Sequence, residues 1–168
     1  MNIFYLDSDP KLCAQYHCDK HVVKSVLETT QILCTVIQLQ QDEELSFLYA
    51  PICINNPCVK WAQQSMYNFL WLQQLGSQLA EEYTYRYDRR HKCQSCIRDI
   101  VVWVRAAAFP VISGLTVRPQ LMPSVYKDDM DPRTAYRNYY LGDKTHLLKY
   151  TRRHVPDWVA CMGVGEHK

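Results

Sequence analysis

The sequence predicts an all-α protein: one compact helical domain over residues 1–168, with long helices behind a short extended N-terminal segment. Three observations predict it. A capping residue followed by proline occurs at Asp9-Pro10, Asn56-Pro57 and Asp131-Pro132. Asp or Asn accepts from the orphan N–H groups of a first helical turn, and proline is preorganised for the first helical position. Apolar residues then recur at helical spacing, as in Leu12, Val22, Val26, Leu33 and Ile37. Only five glycines occur and no Gly/Ser-rich linker divides the chain.

The first helix is expected from about residue 10 to Gln40, and the second from Pro57 to about Tyr87. A further helix is expected from about Cys93 to Ala108, ending before Pro110, and a last one from Pro132. Ile3-Phe4-Tyr5-Leu6 reads as a short strand or as an apolar arm laid across the core. Residues 110–131 carry Pro110, Pro119, Pro123 and Gly114, and read as an irregular connection with one short helix near Tyr126.

A composition of 48% hydrophobic and 21% charged residues supports a real core and excludes disorder. A formal net charge of +2 implies no partner, so an argument for nucleic acid must rest on local clusters. The opening ten residues hold Asp7 and Asp9 and lack the apolar stretch of a signal peptide, and no apolar run reaches the length of a membrane span. Cys13, Cys18, Cys34, Cys53, Cys58, Cys93, Cys96 and Cys161 are therefore read as reduced thiols in the cytoplasm.

Two polar rows carry the candidate chemistry. On a continuous first helix, His17, His21, Lys24, Glu28 and Gln31 fall within an arc of about 80°. The row is either a solvated face with a Lys24–Glu28 pair or a source of general acid, general base and phosphate contact. On the second helix, Trp61, Asn68, Leu72, Leu75, Leu79, Glu82 and Arg86 share a largely apolar face. A buried Glu82 and Arg86 must then be paired, either as a structural couple or as part of a site shared with the first row. In the last helix Tyr136, Arg137 and Tyr140 suit base stacking and phosphate binding, or ordinary packing.

Arg86, Arg89, Arg90, His91 and Lys92 form one basic run, and Lys149, Arg152, Arg153 and His154 another; together they would make an anion-binding surface. Cys93 and Cys96 form a single CxxC without the second spaced pair of a structural zinc site, so no metal is expected. No phosphate-binding or dinucleotide-binding glycine fingerprint occurs, nor do HExxH or GxSxG, and no cofactor is expected.

Asn2-Ile3-Phe4-Tyr5-Leu6-Asp7 and His17-Cys18-Asp19-Lys20-His21-Val22-Val23-Lys24 resemble small proteins of phages and large DNA viruses, as do Asn56-Pro57-Cys58 and Tyr136-Arg137-Asn138-Tyr139-Tyr140. That similarity would cover most of the chain and implies no activity. The stretch from Asn56-Pro57 through Trp61 to Gly76, Glu82 and Arg86, resuming at Asp131-Pro132 and Tyr136, resembles the pyrimidine-dimer DNA glycosylases of the phage endonuclease V family. The resemblance implies a single all-helical domain that excises a damaged base through an amine nucleophile. That family uses the α-amine of a residue exposed by removing methionine. Asn2 is too large for efficient removal, so the amine would be that of Met1 or a lysine such as Lys24.

Two readings follow. One is an enzyme acting on a nucleic-acid base or nucleotide, of the DNA glycosylase or hydrolase kind. Its catalytic residues would be His17, His21, Lys24, Glu28 and Glu82. Asn56, Trp61, Asn68, Arg86, Arg89, Arg90, Lys92, Tyr136, Arg137 and Tyr140 would bind substrate. The other is a virus-encoded binding protein that inhibits a host factor, with the polar rows as interface. Burial discriminates them: convergence of Glu82, Arg86 and His21 in one pocket favours the enzyme.

Overall fold

The computed structural model describes residues 1–40, 48–104 and 109–161. Its helices are α1 (Pro10–Tyr16), α2 (Asp19–Gln38), α3 (Pro57–Gln64), α4 (Met66–Tyr87), α5 (Gln94–Val104), α6 (Pro132–Asp143) and α7 (Asp157–Ala160). Single 3-10 turns lie at Ser124–Tyr126 and Thr145–Leu147. No strand occurs among the described residues, so the fold is all-α. The predicted extension of the α5 helix to Ala108 falls on residues 105–108, outside the described ones.

All three Asx-Pro pairs start helices. Asp9 accepts from Lys11 N at 2.7 Å, Asn56 from Cys58 N at 2.8 Å and Asp131 from Arg133 N at 3.0 Å. Each bond satisfies one donor that the first turn leaves open.

Both long helices are broken where a side chain competes for the backbone. At His17 the backbone turns extended (ψ 132°), with its ring Nδ1 2.7 Å from the Cys13 carbonyl. That carbonyl would otherwise take the helical bond of residue 17. The chain restarts as α2 after Cys18, with Asp19 N donating to the Lys149 carbonyl. At Ser65 the backbone is fully extended, and the Ser65 hydroxyl caps α4 by accepting from Asn68 N. The expected continuous helices over 10–40 and 57–87 are therefore each two.

α2 and α4 form the centre of the molecule, flanked by α1, α3 and α5. Gly76 lets the two central helices approach: a Cβ there would sit 2.9 Å from Thr29 Cγ2. Ile3–Leu6 is the arm, not a strand; all four residues are buried. Arg137 of α6 pins it, donating through Nε to the Leu6 carbonyl and through Nη2 to Asp7. No helix is long and apolar enough to cross a membrane among the described residues.

Candidate active site

The buried arm carries residues 1 and 2 onto the flank of α2. There the backbone N–H of Asn2 points at Glu28 Oε2, 3.5 Å away. Asn56 caps α3 with its Oδ1 and turns its Nδ2 to the Met1 carbonyl at 3.4 Å. The Asn2 side chain is held more tightly: Nδ2 donates to the Leu121 carbonyl at 2.9 Å, and Oδ1 lies 2.8 Å from the Tyr136 hydroxyl. That hydroxyl is also 2.8 Å from the Pro119 carbonyl, so its one proton serves two acceptors. Burial keeps Tyr136 protonated by pushing its pKa well above the usual phenol value.

Glu28 is buried and bridges two partners: Oε2 faces Asn2, and Oε1 pairs with Lys24 at 3.3 Å. The Lys24 side chain is 67% exposed. Lys24 thus lacks the desolvation expected to make its amine nucleophilic. Cys58, at the start of α3, lies close enough to feel the charges of the chain head and Glu28, and burial pushes its thiol up to about 11. The chemistry available here is a buried carboxylate beside a backbone terminus, with a protonated thiol against them.

The two histidines are elsewhere in character. His17 is wholly buried, and desolvation brings it down to about 4; its Nε2 meets no partner among the described residues. His21 stacks on Phe4 at 4.3 Å and shares a hydrogen bond with the Tyr140 hydroxyl. Desolvation, helped by the charges of His17, Lys144 and Lys24, lowers it to about 3. Both rings are neutral core members near pH 7. The expectation that a histidine moves protons near neutral pH is corrected, because burial has taken that titration out of range.

Glu82 and Arg86 form a closed network instead of facing Glu28. Arg86 donates to Glu82 (2.7 Å), Asp19 (2.9 Å) and the Gln15 carbonyl (3.0 Å), with none of its side chain exposed. Arg153 grips the other side of Glu82 through Nε and Nη2, and Asp19 accepts from Thr151 N and Oγ1. The network ties α1, α2 and α4 to residues 151–153. The expected single cleft between the two polar rows is not formed: the second row meets Asp19 at the start of α2, nine residues before Glu28.

Among the other substrate candidates, Trp61 and Asn68 are buried and hold the segment around Thr116. Trp61 Nε1 donates to the Thr116 carbonyl, and Asn68 exchanges two bonds with Thr116. Tyr140 is buried against His21. Arg89, Arg90 and Lys92 are exposed at the corner between α4 and α5, where Arg90, His91, Lys92 and Arg98 line a cleft of about 600 Å³. The second basic run is largely neutralised, since Arg152 pairs with Asp88 and Arg153 with Glu82. The CxxC does not gather ligands: Cys93 faces Tyr49, Cys96 faces Cys34 at 3.5 Å, and no group of three metal-binding side chains converges among the described residues. Sequence reasoning missed Asn2, Cys58 and Asp19 as site or network members and read Arg153 as part of an open anion-binding surface, because their partners are distant in the chain.

The sequence model of the pyrimidine dimer DNA glycosylases matches residues 1–95, from the arm through α4. The protein is thus an enzyme of the DNA glycosylase class, which replaces the reading as a non-catalytic inhibitor. The chain belongs to the pyrimidine dimer DNA glycosylase family. Comparison with curated proteins and with solved structures gives no match.

Proposed function

We propose that this protein excises a damaged pyrimidine from DNA, with the α-amine of Met1 as nucleophile and Glu28 as its carboxylate. The observation that carries the reading is the approach of Asn2 N to Glu28 Oε2, which gathers the chain head and a buried carboxylate in one place. Lys24, exposed and ion-paired, is the weaker candidate and acts by holding Glu28.

The neutral amine attacks C1′ of the damaged nucleotide. The glycosidic bond breaks, its electron pair leaves with the base, and the base takes up a proton. Loss of the amine proton and opening of the sugar ring leave a protonated imine at C1′. Glu28 stabilises that cation and relays the protons; water then releases the enzyme. The clamp of Tyr136 and the Leu121 carbonyl on Asn2 keeps the amine aimed. Arg89, Arg90 and Lys92 hold the DNA backbone, and their exposure supports this. The setting proposed with this reading is repair of viral DNA in the host cytoplasm.

Borohydride reduction during reaction with dimer-containing or abasic duplex tests the reading. A covalent adduct is expected on the peptide that begins at Met1, kept in Lys24→Ala and lost in Glu28→Gln. Mapping to Lys24 would move the nucleophile there. No adduct at all would sink amine catalysis.

A further inference from the structure

Cys34 of α2 and Cys96 of α5 meet sulfur to sulfur at 3.5 Å, and both residues are buried. The packing that joins the two helices is set close by, where Thr29 of α2 and Ile97 of α5 close over Gly76. Tyr49 covers the pair. Its backbone N–H points at both sulfurs, and its hydroxyl takes the Cys93 thiol at 3.3 Å. Cys93 is therefore engaged elsewhere, although it shares the CxxC with Cys96.

The two thiols are unlike. Cys34 is fully enclosed and keeps its proton, because its hydrogen bond to Cys96 raises its pKa and burial adds to the rise. Cys96 is 7% exposed, against 0% for Cys34 and 1% for Cys93. Accepting the Cys34 S–H lowers the Cys96 pKa, in spite of burial and the charge of Asp99. Cys13, Cys18 and Cys58 go the other way: burial raises all three and keeps them protonated and inert. The thiolate is the nucleophilic form of cysteine. The pair thus offers an attacking sulfur at the surface and a second sulfur in contact behind it.

We propose that Cys34 and Cys96 are a peroxide-sensitive thiol pair that closes to a disulfide between α2 and α5. The inference is independent of the glycosylase reading. Cys96 releases its proton to solvent and its sulfur attacks hydrogen peroxide. An S–O bond forms, the O–O bond breaks, and the departing hydroxide takes up a proton as water. The Cys34 sulfur then attacks the Cys96 sulfenic acid. The S–S bond forms, the S–O bond breaks, and the Cys34 proton leaves with the hydroxide as a second water. The two thiols together lose two electrons, and one peroxide is reduced to two waters. Bonded sulfurs stand about 2.05 Å apart, so the pair closes by about 1.5 Å. Exchange with a dithiol reverses the bond. Closure joins the helix that carries Glu28 to the helix that opens at the basic corner.

The test exposes the folded full chain to hydrogen peroxide, blocks the remaining thiols by alkylation and maps the product by fragmentation mass spectrometry. A species lighter by two hydrogens is expected, with Cys34 joined to Cys96 and Cys93 alkylated. The bond spans 62 positions, so the oxidised protein should unfold in urea with an equilibrium constant about a thousandfold smaller. A dithiol reductant should restore the original midpoint. Cys34→Ala should stop at a sulfenic acid on Cys96, captured by dimedone, and Cys93→Ala should still form the disulfide. A Cys93–Cys96 bond, a disulfide formed only in urea, or oxidation confined to the exposed Cys53 and Cys161 would overturn the proposal. Should Cys34→Ala not fold, the wild-type map decides alone.

Discussion

Lowering the pH from 7 to 5 tests the burial of His17 and His21 directly. Their folded-state values of about 4 and about 3 lie below the ordinary 6.5. The unfolded chain therefore takes up protons first as pH falls. The stability these rings contribute as neutral groups is complete above pH 6.5 and is lost as pH drops toward 4. At pH 5 each ring costs about 2 kcal/mol, and the pair about 4 kcal/mol if they add. That is a large part of the ~5–15 kcal/mol of an ordinary domain. The assay is urea unfolding at pH 7 and pH 5 for wild type and for His17→Asn/His21→Asn. Asparagine keeps a polar group near the Nδ1 position of each ring, toward Cys13 and Tyr140. Wild type should lose several kcal/mol between the two pH values and the double variant far less. Carboxylates contribute equally to both proteins and cancel. Equal losses, or His17 and His21 imidazole resonances titrating near pH 6.5 in the folded protein, would refute the argument.

Glu82→Ala should destabilise by about 3–5 kcal/mol in the same unfolding assay, because it leaves Arg153 without its carboxylate and buried Arg86 with Asp19 alone. A loss below about 1 kcal/mol would mean that the network is not closed as described. Arg90→Ala/Lys92→Ala should weaken DNA binding uniformly across sequences and lower the salt slope by up to about 2, with unchanged stability. Binding unaffected at low salt would remove the corner between α4 and α5 from the DNA path.

The parts legible in the chain are those whose causes are local. Asp9, Asn56 and Asp131 bond donors two residues on, so three helix starts follow from dipeptides. The Lys24–Glu28 and Glu82–Arg86 pairs are i,i+4 neighbours and follow from periodicity. His17 was misplaced because its ring takes a backbone carbonyl and ends a helix that propensity alone would continue. With the helix broken, His17 no longer shares the stripe of Lys24 and Glu28, and Ser65 interrupts the second helix for the same kind of reason.

By itself the sequence determined an all-helical chain with the helix starts at Pro10, Pro57 and Pro132, the family of its first 95 residues, and Glu28 as a candidate acid. Tertiary structure alone decided which groups meet. Asn2 finds Tyr136 across 134 positions, Arg86 finds Asp19 across 67, and Arg153 finds Glu82 across 71. Helical periodicity says which way a side chain faces along its own axis. Whether water, a carboxylate or an aromatic ring waits there depends on how distant elements pack, and that packing made His17 a neutral core residue and left Glu28 beside the chain head.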